Sequence, residues 1–253
     1  MRIATWNVNG IRAALRKGFD DAVQRVAPDV LLLQEVRARP DQLPADRADP
    51  PDWRVLWRPA ERPGYAGTAI WSRHAIEQLS SPKDDPEGRI IHARTAGVHV
   101  VCIYLPSGSS GDHRQAAKEA WMCDFEKWAR RLARLNEPVI MGGDFNIAHT
   151  EQDIFYAKSN EKNSGFLPHE REWLGRLLDS GWHDVVREHI GDRQGPYSWW
   201  SNRGKAREGD RGWRIDYLFA NKKARPLLQQ AGIDREAALT VSDHAPVWAD
   251  WDA

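Results

Sequence analysis

Four short polar clusters close apolar runs that read as buried strands. Asn7-Val8-Asn9 follows Arg2-Ile3-Ala4-Thr5-Trp6, and Gln34-Glu35 follows Val30-Leu31-Leu32-Leu33. Asp144-Phe145-Asn146 follows Pro138-Val139-Ile140-Met141-Gly142-Gly143, and Ser242-Asp243-His244 precedes Ala245-Pro246-Val247-Trp248. Asn and Asp are common turn residues, so any one cluster has an ordinary explanation. Four together point to chemistry, because strand ends are rigid and a packed sheet can gather them at one rim.

With Asp216 from the run Arg214-Ile215-Asp216-Tyr217, such a rim would carry Glu35, Asp144, Asp216, Asp243, Asn7, Asn9, Asn146 and His244. Clustered carboxylates repel one another and stay ionised only if a cation neutralises them. An oxygen-rich set without cysteine favours Mg2+ or Mn2+ over zinc. Water attack on a phosphodiester suits this inventory: a metal neutralises phosphate charge, a carboxylate deprotonates the water, and a histidine bonds the phosphate.

The elements that must hold these groups are short strands and a few helices. Strands are expected over Trp53–Trp57, Thr68–Trp71, Arg89–Arg94, Val98–Leu105, Tyr197–Trp200, Ile215–Phe219 and Ala245–Trp251. Trp121, Phe125, Trp128, Leu132 and Leu135 recur at helical spacing, which predicts a helix over Asp112–Leu135. A second helix is expected to start at Pro168. Residues 39–52 and 80–86 read as surface loops. Strands that mix with helices without strict alternation imply an α/β fold of two packed sheets with helices outside, as a single domain over 1–253. The triplets Asn7-Val8-Asn9 and Asp144-Phe145-Asn146 suggest a loose duplication in which alternate residues share a face.

Lys plus Arg and Asp plus Glu both number 36, so no global positive field advertises nucleic acid, and any such binding must come from local basic stripes. Cys102 and Cys123 lack metal-ligand spacing, which favours an intracellular, cytoplasmic location. No apolar stretch could span a bilayer, so no membrane association is expected, and no signal peptide is expected ahead of a strand that begins after Met1. Nothing calls for more than a monomer.

The ordered set Trp6-Asn7-Val8-Asn9-Gly10-Ile11-Arg12, Leu33-Gln34-Glu35, Tyr104-Leu105-Pro106, Gly143-Asp144-Phe145-Asn146-Ile147-Ala148-His149, Gly212-Trp213-Arg214-Ile215-Asp216-Tyr217 and Ser242-Asp243-His244 resembles the exonuclease III family of apurinic/apyrimidinic endonucleases, within the endonuclease/exonuclease/phosphatase superfamily. The resemblance spans the whole chain, including Asn160-Glu161-Lys162-Asn163-Ser164-Gly165-Phe166-Leu167-Pro168. It implies a four-layered α/β sandwich, two mixed β-sheets face to face with helices outside. It also assigns roles. Asp144 would deprotonate the attacking water, with Asn146 fixing it. His244 would contact the phosphate, oriented by Asp216, while Asn7 and Tyr104 would hold the phosphate or metal shell. Glu35 would be the main metal ligand, with Asp243 and Asn9 beside it. Asn9 stands where some members carry an acid, and Ser107 where relatives often carry Asn or Gln.

Superfamily members with this chemistry act on DNA, RNA, inositol phosphates or lipid head groups, so substrate must be read elsewhere. In the DNA-repair branch the positions of Trp199, Trp213 and Ile215 wall a pocket for a base-less sugar, which a flat aromatic wall accepts and an intact nucleotide overfills. Trp200 can equally be interior, and Asp153 can belong to the site or to the surface. Backbone contacts are expected from Arg12, Arg89 and Arg203, among basic residues that also include Arg16, Lys17, Lys158, Lys162, Lys205, Arg207 and Arg211, and from Asn160, Asn163 and Tyr65. The expected activity is Mg2+- or Mn2+-dependent cleavage of duplex DNA 5′ to abasic sites, with 3′-end processing. A superfamily phosphodiesterase for RNA, inositol phosphates or lipid, and a non-catalytic DNA binder, are the alternatives.

Overall fold

The computed structural model describes residues 1–82 and 84–252, so Lys83, in the expected 80–86 loop, and Ala253 lie outside the described residues. Twelve strands form among them: β1 Arg2–Asn7, β2 Val30–Gln34, β3 Arg54–Arg58, β4 Thr68–Ser72, β5 Ile76–Leu79, β6 Ile90–Thr95, β7 Val98–Tyr104, β8 Val139–Asp144, β9 Trp182–Asp184, β10 Asp216–Asn221, β11 Leu228–Ile233 and β12 Val247–Trp251. Two six-stranded mixed sheets result, ordered β11-β12-β1-β2-β4-β3 and β5-β6-β7-β8-β10-β9. The helices are α1 Ile11–Arg16, α2 Phe19–Val26, α3 Ala45–Ala48, α4 Asp112–Ala133, α5 Ala157–Asn160, α6 Pro168–Asp179, α7 Val185–Ile190 and α8 Arg235–Thr240.

The layers follow from alternation along each strand. Ile3, Val30, Leu32 and Ile70 of the first sheet interlock with Val100, Cys102, Ile140, Leu218 and Ala220 of the second in one inner core. The opposite faces carry Ala4, Trp6, Leu31 and Leu33, packed under α1, α2 and α8, and Val101, Ile103, Met141 and Phe219, packed under α4 and α6. This is the four-layered α/β sandwich, with one continuous inner core rather than two.

Both sheets share one connectivity. In each, a central parallel pair (β1 with β2, β7 with β8) is joined by a helical crossover and flanked by antiparallel strands. The duplication therefore equates β1 with β7 and β2 with β8. The Asn7 and Asp144 triplets close strands that are not counterparts, which corrects the duplication drawn from them. What the triplets share is local. Asn9 N–H donates to Asn7 Oδ1 at 2.9 Å and Asn146 N–H to Asp144 Oδ1 at 2.8 Å, an Asx turn in both cases. Asn9 and Asn146 each take positive φ, so they leave the strand instead of continuing its face.

Other differences are local as well. Tyr197–Trp200 forms isolated bridges, Trp199 to Trp213 and to His244, instead of a strand, because it crosses between two segments rather than running beside one. The helix expected to reach Leu135 ends at Ala133 in a tight turn, with Leu135 N–H bonded to Leu132 O. Residues 39–52 contain a single 3-10 turn and the short α3. The edge strands β5, β9 and β11 and the paired helices α1 and α2 had no strong periodic signal. Trp200 is interior, at 1% exposure.

Two glycines allow the central strands to approach. A Cβ on Gly142 would meet Leu218 at 2.6 Å and Leu32 of the facing sheet at 2.9 Å. On Gly143 it would lie 1.8 Å from the Ile103 carbonyl oxygen, inside the β7–β8 ladder and next to Asp144. Gly143→Ala is expected to lower stability by about 3 kcal/mol, the upper range for overpacking, and calorimetry showing a melting temperature within a degree of wild type would contradict it.

Candidate active site

The inward rows of five strands run out of apolar residues at the same rim. Ile3-Thr5-Asn7, Val30-Leu32-Gln34, Val100-Cys102-Tyr104, Ile140-Gly142-Asp144 and Ala220-Leu218-Asp216 each alternate through the inner core and finish polar. Asp144 pairs with Asp216 across β8–β10 and with Tyr104 across β7–β8. Asn7 joins the two sheets: its Nδ2 donates to Glu35 Oε2 and to Asp144 Oδ2, both at 2.9 Å. Below it, Gln34 is buried between the sheets, its Nε2 bonded to Thr5 Oγ1 at 2.9 Å.

His244 enters from the turn before β12. Trp6 Nε1 donates to its carbonyl oxygen at 2.9 Å, and Ser242 Oγ donates to Asn7 O at 2.8 Å, which locks that turn onto β1. The imidazole Nδ1 lies 2.8 Å from Asp216 Oδ2, and Nε2 lies 3.9 Å from Asp144 Oδ2. Ser198, which the sequence did not single out, orders the carboxylate: its Oγ donates to Asp216 Oδ2 at 2.7 Å and accepts from the Ile215 and Asp216 amides.

Burial, reinforced by the neighbouring Asp216, pushes the Asp144 carboxyl up to about 7. Burial alone would lower His244, but Asp216 and Asp144 outweigh it and raise the imidazole to about 10, which stabilises the imidazolium. Tyr104 is pushed well above the usual phenol range by burial and by Glu35 and Asp144. Asp243 is lowered: burial opposes ionisation, but His244 and hydrogen bonds from Asn9 and Trp199 prevail.

A pocket of about 750 Å³ opens over this rim. Glu35, Tyr104, Asp144, Asn146, Asp243, His244 and Asn9 line its floor, and Trp199, Trp213, Ile215, Asn160, Asn163 and Arg203 line its walls. Asn7 and Asp216 stand directly behind, fully buried. Trp199 and Trp213 pack edge to face with centroids 6.1 Å apart, and Trp199 Nε1 donates to Asp243 Oδ2 at 3.1 Å, so wall and floor are one unit. Asn163 Nδ2 donates to Asn160 Oδ1 at 2.8 Å.

Three expected contact residues lie outside the pocket lining. Arg12 is exposed on α1. Tyr65 is half-buried, with its hydroxyl bonded to Arg114. Arg89 is 2% exposed and committed to Glu87 at 2.6 Å and to Tyr104 O at 2.9 Å, so it braces the strand bearing Tyr104 and is not placed to meet a phosphate. Asp153 is likewise not in the pocket. Its carboxylate binds Arg214 Nε at 2.7 Å and Arg187, and Arg214 also binds Asp184 at 2.7 Å. Arg37, which sequence reasoning missed, ion-pairs with Glu35 at the floor.

The donor set suits a hard cation. Asp144, Asp216 and His244 offer ligand atoms within 4.8 Å of one another, and Asp216 Oδ1 is buried without a hydrogen-bond partner. Since Asp216 is occupied by the imidazole, Glu35, Asp144 and Asp243 are the carboxylates that face an ion entering from the pocket.

The endonuclease/exonuclease/phosphatase family model matches residues 4–244. The chain belongs to that family. It is 35% identical over 252 residues to an exodeoxyribonuclease of Bacillus subtilis, covering 98% of each chain, and 34% identical to the DNA repair nuclease APEX1 of Danio rerio, covering 98% of this chain and 81% of that one. Among solved structures, the 3′-5′ exonuclease NExo of Neisseria meningitidis superposes with a TM-score of 0.90 at 30% identity, covering 100% of both chains. These members agree with the exonuclease III resemblance of the ordered motifs.

Asp153 carries an acid-sensitive share of stability. The Arg214 and Arg187 guanidinium groups outweigh burial and hold its carboxyl far below the usual range, so its contribution is full above the unfolded value and is lost as pH falls through and below it. Asp153→Asn, which removes one of the two carboxylates that neutralise the buried Arg214, is expected to cost about 3 kcal/mol at pH 7 and to flatten the acid limb of stability. Urea unfolding between pH 3 and 7 checks both, and a variant as stable as wild type at pH 7 would refute this role.

Proposed function

We propose that this protein is a divalent-metal-dependent DNA-repair nuclease of the exonuclease III type. It hydrolyses the phosphodiester 5′ to abasic sites in duplex DNA and also processes 3′ ends. The observation that carries this reading is one pocket that holds a buried carboxyl group, a histidine oriented by a second carboxylate and an apolar aromatic wall side by side. Relatives described as exodeoxyribonuclease, DNA repair nuclease and AP endonuclease support it, as does a 29% identical structure of the 3′ phosphatase NExo bound to a product DNA hairpin.

Asp144 takes the proton of the attacking water, a task suited to a carboxyl whose proton affinity lies near neutral pH. Asn146, whose backbone N–H and side chain both bond Asp144, fixes the carboxylate's aim. Protonated His244 donates from Nε2 to a phosphate oxygen, and Asp216 holds its other nitrogen. Asn7 keeps Glu35 and Asp144 in register, and the Tyr104 hydroxyl stands at the same floor. Glu35, with Asp243 and Asn9 beside it, would hold Mg2+ or Mn2+, which would supply electrostatic stabilisation of the phosphate.

Trp199, Trp213 and Ile215 receive the base-less sugar. Arg203, exposed at the mouth with no ion pair among the described residues, meets the backbone, as Asn160 and Asn163 do. No helix among the described residues is long and apolar enough to cross a membrane. We take the protein to act as a monomer on DNA inside the cell.

Asp144→Asn and His244→Asn are each expected to lower turnover on an abasic duplex by about 10²–10⁴-fold while duplex binding persists, and EDTA should abolish cleavage by wild type. Sized products and a gel-shift assay read these outcomes; wild-type-like turnover by Asp144→Asn would refute the base assignment. Asp216→Asn removes the main charge that raises His244, so the imidazolium should lose its proton at lower pH. The alkaline limb of kcat/KM is then expected to move down by about a unit or more, and an unmoved limb would separate His244 from Asp216.

A further inference from the structure

Lys118 of α4 and Glu170 of α6 form an ion pair with neither side chain exposed, Nζ to Oε1 at 2.6 Å. Two charges removed from water at such a place are costly, and apolar residues of similar volume would usually stabilise the fold as well or better. Packing therefore does not explain them. Their other bonds do. Lys118 Nζ donates to the carbonyl oxygen of Asn146 at 2.9 Å. Glu170 Oε2 accepts from the Gly165 N–H at 2.6 Å and the Leu167 N–H at 3.1 Å. Gly165 O in turn accepts from Ala148 N–H at 2.8 Å, which closes a ring around the Asn146 turn.

That turn is held from outside as well as by its own Asx bond. Asn146 has φ of 50°, a left-handed conformation that asparagine tolerates better than other residues with a Cβ, so what the outside bonds fix is the turn's position. Gly165 lies against it: a Cβ there would sit 3.1 Å from Asn146 O and 3.2 Å from the Trp213 ring. One buried pair thus grips both the residue that aims Asp144 and the loop that backs the aromatic wall.

We infer that Lys118 and Glu170 are positioning residues for the hydrolytic step, holding Asn146 and the Gly165 loop at their working distance from Asp144. Neither lines the pocket. The kinetic part of the test rests on the nuclease reading; the structural part does not.

The experiment uses the double variant Lys118→Met/Glu170→Leu beside wild type. Thermal unfolding is expected to stay cooperative with a melting temperature several degrees lower, since no lone charge is left inside but the Gly165 and Leu167 N–H groups lose their acceptor. Amide hydrogen exchange at Asn146 and Ala148, whose N–H groups do not touch the pair, should accelerate at least about tenfold. On the abasic duplex kcat should fall about 10–10²-fold, with KM within about threefold. Unchanged exchange at Asn146 and Ala148 would overturn the inference whatever the substrate, and so would wild-type kcat. If the double variant does not fold, Lys118→Met/Glu170→Gln, which leaves no lone charge and keeps an acceptor for the Gly165 N–H, is read in the same way. Absence of cleavage by wild type would count against the nuclease reading alone, and the exchange rates would still decide this one.

Discussion

The site depends on a slot between two sheets that closes on apolar side chains and opens at one rim. Period-two alternation sends every second residue of β1, β7, β8 and β10 into that slot, and the last residue of each row is Asn7, Tyr104, Asp144 or Asp216. These groups are therefore buried by the same packing that forms the core. Burial raises Asp144, while the charge of Asp216, with that of Asp144, raises His244. Asn7, donating to carboxylates at the ends of both sheets, keeps the slot from opening at its charged end.

Charge in this chain is organised rather than excessive. Equal numbers of acids and bases leave no net charge, yet four carboxylates converge at one rim. Behind them stand two buried ionic braces. Asp153, Arg214 and Asp184 anchor the segment that carries Trp213, Ile215 and Asp216, and Lys118 with Glu170 grips the Asn146 turn. Both are remote from solvent, so salt does not weaken them as it would surface pairs. The arrangement lets the pocket present flat aromatic and acidic surfaces without relying on mobile loops for their geometry.

The repeated connectivity of the two sheets explains why the floor draws on both halves. Each half supplies a parallel pair whose C-terminal ends face the same rim, and the ends bear different groups: Asn7 and Glu35 from one, Tyr104 and Asp144 from the other. On the proposed reading, this asymmetry puts the base on one side and the cation ligands on the other.

The strand-end clusters, the α4 and α6 helices and the ordered motifs were legible in the chain, because strand rows, helical stripes and Asx turns are local patterns. So was most of the pocket floor, through residue types at strand ends, while Tyr104 and the aromatic wall came from the family resemblance of the ordered motifs. What lay beyond reach was any property set by contacts distant in sequence. Arg89 and Arg12 look alike as letters, but one is buried against Glu87 and Tyr104 and the other is exposed on α1. Ser198, Lys118 and Glu170 carry no motif, and their roles arise from partners 18 and 52 positions away. By itself the sequence determined which groups could do chemistry and the strands that bear them. Only the tertiary structure decided which of these groups are desolvated and which cations are spent on internal pairs, since both depend on what the folded chain places around each charge.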